Sequence, residues 1–406
     1  MRYDAIVAGG GPAGSTAARI LAREGATVLL LDRARFPRDK PCGGGVTLRA
    51  AACQDLDLGP VVERTVTGAR FSLRLGETFD RQYEGPLTYM TQRCRLDAFL
   101  VEAAVSAGAT FKDGEPVRSV EVRSAGGPGV SLTPDVTVHT ERGSYSARAL
   151  IGADGANGVV GRDTGTRPET EVAVALEGNV PYPDGVPERW REFVGLDVGW
   201  LAGGYGWVFP KGDHLNVGVG AWKYAAFTLR PKLADLCARH GFDANGLESV
   251  RGHHLPVRVP GSVIARGPVA VVGDAAGLVD PLSGEGIHMA FTSGRLAARA
   301  ALRMLAGEAD DLSAYQRAVD RRLQPELSIS RKLQELLQFA PPPYVAVMRR
   351  SERFWRLFCR LLRGELTYVE LLRMIGPLRP AVDVLAAAAR RRRLSRLAAV
   401  RRRASG

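Results

Sequence analysis

At 406 residues, 45% of them hydrophobic, the chain is long enough to bury two or three domain cores, and no apolar run approaches the roughly 20 residues needed to cross a bilayer. The five cysteines, Cys42, Cys53, Cys94, Cys237 and Cys359, are odd in number and scattered, without a Cys-x-x-Cys pair, which argues against a disulfide framework or a structural zinc site. The net charge of +12 is uneven: from Arg331 onward eighteen Arg and Lys stand against five Asp and Glu, so an anionic partner would meet the C-terminal end first.

The chain enters its first strand at once, leaving no room for a secretory signal, and a cytoplasmic location is expected. Tyr3 to Ala8 is an apolar run of strand length, Gly9-Gly-Gly-Pro-Ala-Gly14 a tight turn, and Ser15 to Glu24 a helix. A second strand, Thr27 to Leu31, ends at Asp32. Strand, glycine turn, helix, strand and acid in this order form a βαβ dinucleotide fingerprint. Gly9 permits the sharp turn, Gly11 the approach of a pyrophosphate to the backbone, and Gly14 close packing of helix on strand. The helix N-terminus offers its N–H groups to the phosphates, and Asp32 is placed to accept from an adenosine ribose.

Beyond Asp32, Lys40-Pro-Cys-Gly-Gly-Gly-Val46 suits a loop whose backbone lies flat against something, and residues 47 to 64 read as helical. Val66 to Tyr83 alternates as paired antiparallel strands of a second sheet. A helix from Arg93 to Ala107 precedes strands near Thr110, Val117 to Val122 and Val136 to Thr140, with a loop from Ser124 to Gly129. Ala149 to Gly155 is a buried strand ending at Asp154. Residues 172 to 259 read as antiparallel strands with a helix near 231 to 240. Val269 to Asp274 is another buried strand, followed by a glycine turn and a helix from about Gly286 to Leu305. The remainder reads as helices broken at Pro341-Pro-Pro343.

Gly9-x-Gly-x-x-Gly14, Asp154-Gly155, and Gly273-Asp274 with Pro281 and Gly284-Glu-Gly286 together resemble the FAD-dependent enzymes of the p-hydroxybenzoate hydroxylase-like fold, over nearly all of residues 1 to 325. The resemblance implies an α/β protein with a Rossmann-like FAD-binding domain, an antiparallel-sheet substrate domain and a C-terminal helical segment. The corresponding boundaries are 1–65, 91–165 and 263–325 for FAD, 66–90 and 166–262 for substrate, and 326–406 for the basic helical segment. It implies that Ala13 faces the pyrophosphate, that Asp32 faces the ribose, and that Arg93 and Asp154 contact the cofactor. Asp274 would meet the ribityl chain, and Gly286 and Ile287 the pyrimidine edge of the flavin. One departure is visible: where the family shows Ser then Arg after Asp-Gly, this chain has Gly158, Gly161 and Arg162.

Pro41-Cys-Gly-Gly44, and Tyr205-Gly-Trp-Val-Phe-Pro210 followed after seven residues by Gly218-Val-Gly220, are similar to motifs of the geranylgeranyl reductases, which saturate isolated double bonds in polyprenyl chains. This narrower resemblance places Cys42, Gly43 and Gly44 against the flavin and implies substrate binding by Tyr205, Trp207, Phe209 and Pro210. Halogenases of the same fold carry Trp-x-Trp-x-Ile-Pro in a comparable region, and a flavin monooxygenase or halogenase is the alternative activity. A flavin-bearing prenyl carrier without turnover is the non-enzymatic rival.

Alkene reduction needs hydride at one carbon and a proton at the other. Cys42 is the candidate acid, or simply a small residue that fits its loop. Tyr205, Trp207 and Phe209 share one strand face, as the wall of a prenyl tunnel or as ordinary sheet core. His253 and His254 form no metal spacing, and no metal is expected. In Glu352 to Arg363, Phe354, Leu357, Phe358 and Leu361 share a helical face with arginines off it, which suits either an anionic lipid interface at the inner face of the cell membrane or packing on the body. No recognition module accompanies the arginines, so nucleic acid is not expected as a partner. The electron donor is left open between NADPH and a reduced ferredoxin-like protein.

Overall fold

In the computed structural model, which describes residues 2–123, 135–182, 185–374, 376 and 379–404, the strand Arg2–Ala8 lies in the middle of an eight-stranded sheet. It pairs in parallel with Gly143–Gly152 on one side and Val28–Leu31 on the other. Val269–Val271 and Thr110–Lys112 extend the parallel set, in which Val28–Leu31 and Val269–Val271 are apolar and buried throughout because helices cover them. Helix Pro12–Arg23 packs against helix Ile287–Leu305, and the approach is so close that a Cβ at Gly294 would overlap the Ala13 carbonyl.

A seven-stranded sheet runs in the order Glu248–Arg258, Thr170–Pro181, His214–Trp222, Gly204–Pro210, Phe193–Leu201, Gly68–Leu73, Thr78–Gln82. It is antiparallel except where Phe193–Leu201 meets Gly68–Leu73 in parallel. Helix Leu229–His240 buries Leu233, Leu236 and Cys237 on it. A small third sheet joins Gly45–Thr47, Thr88–Met90 and Arg64–Val66, and the sequence carried no expectation of it.

One sequence expectation is corrected, and one alternative left open is decided. Residues 47 to 64 are not one helix: Leu48–Ala51 makes a single turn, and the Asp57 side chain then accepts from the Gly59 N–H and Pro60 enters a short turn of 3₁₀ helix. The break expected at the three prolines is present: helix Gln324–Phe339 ends just before them and Pro341 starts the next, Pro341–Arg350, since Pro lacks an N–H and the first turn of a helix needs none. Of the two readings of Glu352–Arg363, packing on the body holds: its apolar face is turned inward. Trp355 and Cys359 are wholly buried there, the Trp355 ring meets Phe71 edge-on at 6.2 Å, and its Nε1 donates to the Gln82 carbonyl at 2.8 Å. The expected loop at 124 to 129 lies outside the described residues.

Helices Gln324–Phe339 and Arg379–Ala404 complete the C-terminal layer. Part of its basic charge is used internally, because Glu171 receives Arg331, Arg390 and Arg393 together. No helix among the described residues is long and apolar enough to cross a membrane.

Candidate active site

One cavity of about 1160 Å³ runs from the first glycine turn, past the Cys42 loop and the second sheet, to the C-terminal helices. It begins where the chain leaves the strand Arg2–Ala8. Gly9 takes φ +110°, a conformation that L side chains rarely adopt, and a Cβ at Gly14 would overlap the Gly9 carbonyl. Gly11 differs from both, because the nearest atoms to its missing Cβ are Arg38 Nη2 at 3.6 Å and Arg93 Nη2 at 3.9 Å. Its open side therefore faces two guanidinium groups at a helix N-terminus, which is a cradle for a pyrophosphate.

The acids at this end are held in different ways. Asp32 accepts from the Gly10 N–H at 2.7 Å and the Ala34 N–H at 2.8 Å, which fixes its carboxylate at the cavity edge. Arg93 is buried and forks onto Asp97 at 2.8 and 2.7 Å, and Arg38 reaches the same carboxylate at 2.7 Å. Asp274 is 2.8 Å from Lys40 Nζ and 3.3 Å from His253 Nε2. Burial works against its charge, but Lys40 and His253 more than offset this and hold it well below the usual carboxylate range.

Asp154 explains the departure at Gly158. One carboxylate oxygen accepts from the Val159 and Val160 N–H groups at 2.7 and 2.9 Å, and a Cβ at Gly158 would overlap that carboxylate. Its other oxygen, Oδ1, is buried without a hydrogen-bond partner among the described residues, at the wall of the cavity. The open cradle at Gly11 and this spare acceptor fit a dinucleotide such as FAD. Gly286 caps helix Ile287–Leu305, so that Gly286 and Ile287 border the cavity at a second helix N-terminus.

The Cys42 loop lies flat against the second sheet. A Cβ at Gly43 would come within 2.7 Å of the Phe209 ring, and one at Gly44 would overlap the Thr91 carbonyl and the Lys211 ammonium. Cys42 borders the cavity, and its N–H donates to Glu177 Oε1 at 2.6 Å. Tyr205, Trp207 and Phe209 form a continuous wall with centroid spacings of 6.2 and 6.2 Å, the Trp207 indole donating to Asn216 Oδ1 at 2.8 Å. Pro210 is not part of this wall: the period of two turns it to the other face, where it is buried. Gly14 likewise serves packing rather than the cavity surface.

The apolar end is lined by Phe71, Val194 and Leu196 from the sheet and by Phe354, Leu357, Phe358 and Leu361 from the C-terminal layer. Phe339 and Leu385 are on the cavity wall and also 45% and 51% exposed, so the cavity opens between their two helices. Sequence reasoning missed several polar residues of the site. Lys40 and Lys211 directly adjoin the motifs Pro41–Gly44 and Tyr205–Pro210, a signal that could have found them. Glu177 and Glu285 are both pushed up to about 7 chiefly by burial; Glu285 stands inside the motif Gly284-Glu-Gly286, whereas Glu177 has no local signal.

Comparison with known proteins agrees with this arrangement. Residues 2–181 match the model of the FAD binding domain. The chain is 37% identical over 319 residues to a geranylgeranyl diphosphate reductase of Rhodobacter capsulatus, covering 77% of this chain and 78% of that protein. It is 34% identical over 360 residues to a menaquinone reductase of Mycolicibacterium smegmatis, covering 83% and 85%. A solved geranylgeranyl bacteriochlorophyll reductase-like protein from Thermoplasma acidophilum superposes with a TM-score of 0.74 at 22% identity, covering 96% and 99% of the two chains, which establishes a common fold.

Proposed function

Because the chain belongs to the geranylgeranyl reductase family of FAD-dependent enzymes, we propose that it saturates isolated C=C bonds in the polyprenyl chain of a lipid, quinone or pigment precursor. The observation that carries the reading is the continuity of the cavity, which joins a dinucleotide cradle to an apolar chamber through the Cys42 loop and the aromatic wall. When bound and reduced, FAD supplies the hydride. Gly9, Gly11, Ala13, Asp32, Arg93, Asp154, Asp274, Gly286 and Ile287 hold it, with Arg38 balancing phosphate charge. Tyr205, Trp207 and Phe209 align the prenyl chain along their strand and exclude water from the reacting bond. The Cys42 thiol gives its proton to the second alkene carbon, and the sulfur keeps the bonding pair.

The prenyl chain enters between Phe339 and Leu385. Arg392 stands over the Phe339 ring at 5.7 Å, and Val384 and Leu385 are exposed with Arg391 and Arg392 one heptad further on. This apolar rim with arginines beside it rests on an anionic membrane surface, which is where such substrates dissolve. The membrane contact thus lies at the cavity mouth and not on the face of Glu352–Arg363. NADPH or a reduced ferredoxin returns electrons to the enzyme, and turnover with each in turn separates them.

The test is anaerobic. Chemically reduced, FAD-loaded protein is mixed with geranylgeranyl diphosphate or menaquinone, and flavin reoxidation is followed together with product mass. Reoxidation with gain of two hydrogens per bond is the expected result. Reoxidation only with oxygen, giving a hydroxylated or halogenated product, would replace this reading with the monooxygenase or halogenase alternative.

A further inference from the structure

Under the Cys42 loop lie two buried ionisable side chains that the reaction outlined above does not use. Lys211 is 2% exposed, and its ammonium donates to the Gly43 carbonyl and, at 3.0 Å, to the Thr91 carbonyl. An ammonium has three donors, and these carbonyls engage two of them. Glu177, 6% exposed, accepts the Cys42 N–H on Oε1. The Gly44 N–H points at Cys42 Sγ from 3.4 Å, so the sulfur already faces one donor of partial positive charge.

The other charges around the loop are paired off. Arg93 is forked to Asp97, Lys40 is bound to Asp274, Asp39 to Arg251, and Glu63 to Arg95. Tyr205 is held neutral by burial and donates its hydroxyl to the Ser283 carbonyl. Among the described residues neither Lys211 nor Glu177 takes part in an ion pair within 4.0 Å, although each feels the other's charge. The buried cation bound to the Cys42 loop and not held in an ion pair is therefore Lys211.

We propose that Lys211 and Glu177 are positioning residues that set the proton affinity of Cys42: Lys211 stabilises the thiolate left when the proton leaves, and Glu177 anchors the loop backbone and opposes that effect when ionised. The electron pair of the broken S–H bond stays on sulfur, next to a buried cation, and water returns the proton before the next turnover. Burial lowers Lys211 to about 8 and raises Glu177 to about 7, so both groups change charge close to neutrality, where the balance between them is felt.

The inference rests on the reductase reading for the role of Cys42, but its test needs no alkene. FAD-loaded protein is treated with iodoacetamide across a pH series, and alkylation of the Cys42 peptide is followed by mass spectrometry. Lys211→Met is expected to raise the midpoint of Cys42 reactivity by about one pH unit, which is about tenfold less thiolate below the midpoint. Glu177→Gln keeps an acceptor for the Cys42 N–H and is expected to lower the midpoint, with several-fold faster alkylation above pH 7 and no difference well below it. Opposite signs cannot come from a shared loss of structure. An unchanged midpoint in either folded variant overturns the proposal, and if Lys211→Met fails to retain FAD, Glu177→Gln decides alone. Absence of alkene turnover with shifted midpoints would instead count against the reductase reading.

Discussion

The indole of Trp207 lies over the backbone of Gly218, its cross-strand partner, in a space that a Cβ at position 218 would fill. The seven residues between Pro210 and Gly218 are thus the return of a hairpin that brings a glycine under the middle aromatic of the wall. Gly218→Ala forces the indole toward the cavity. It should destabilise the FAD-loaded protein by about 1–3 kcal/mol in chemical denaturation and reduce kcat/KM for prenyl substrates, because overpacking moves side chains off their rotamers.

Gly11 and Gly14 are alike in the motif but differ in their surroundings. Gly14→Ala pushes a methyl into the Gly9 carbonyl and should cost about 3 kcal/mol in the apoprotein as well as abolishing FAD binding. Gly11→Ala meets no protein atom closer than 3.6 Å and should leave apoprotein stability within about 0.5 kcal/mol. Its loss should be in FAD affinity, at least tenfold by flavin fluorescence titration.

Filling the apolar chamber should discriminate by chain length. Leu361→Trp adds volume on the helix Glu352–Arg363 where it lines the cavity. The expected outcome is a fall in kcat/KM for geranylgeranyl substrates with little change for geranyl ones, read by product mass spectrometry under one set of conditions. An equal fall for both would place the chain elsewhere.

Glu285 gives a pH window with a definite sign. Burial raises its folded value from 4.5 to about 7 against the hydrogen bond from Thr47 Oγ1 at 2.8 Å, so the folded state prefers the neutral acid. The penalty is absent below the unfolded value, grows as pH rises from about 4.5 to 7, and is constant above. Glu285→Gln should therefore stabilise the protein by about 1–3 kcal/mol at pH 8 and not at pH 4, measured by denaturant titration. Asp274 runs the other way, its stabilisation being lost only as pH falls below the ordinary carboxylate range.

Vesicle flotation examines the cavity mouth. Val384→Asp with Leu385→Asp replaces two exposed apolar side chains at the rim and should abolish binding to anionic vesicles while FAD content is unchanged. Binding of the unaltered protein should weaken with salt.

The first βαβ unit was legible because its information is local: the turn at Gly9, the helix after it and the acid at 32 lie within about 30 residues and each follows from backbone sterics or strand periodicity. The antiparallel strands and the shared face of Tyr205, Trp207 and Phe209 were legible for the same reason. The tail was not. An amphipathic helix such as Glu352–Arg363 shows in its sequence that one face must leave water, but not whether lipid or protein receives it.

The amino-acid sequence alone determined the first βαβ unit, the main antiparallel strands, the glycine geometry of the first turn and the family motifs, since these depend on neighbours a few residues apart. Only the tertiary structure decided that the C-terminal helices close the cavity, that Gly43 and Gly44 yield space to Phe209 and Lys211, and that Glu177 lies under the Cys42 loop. Those contacts join residues more than 100 positions apart, and their energies come from burial and charge at distances that no local pattern encodes.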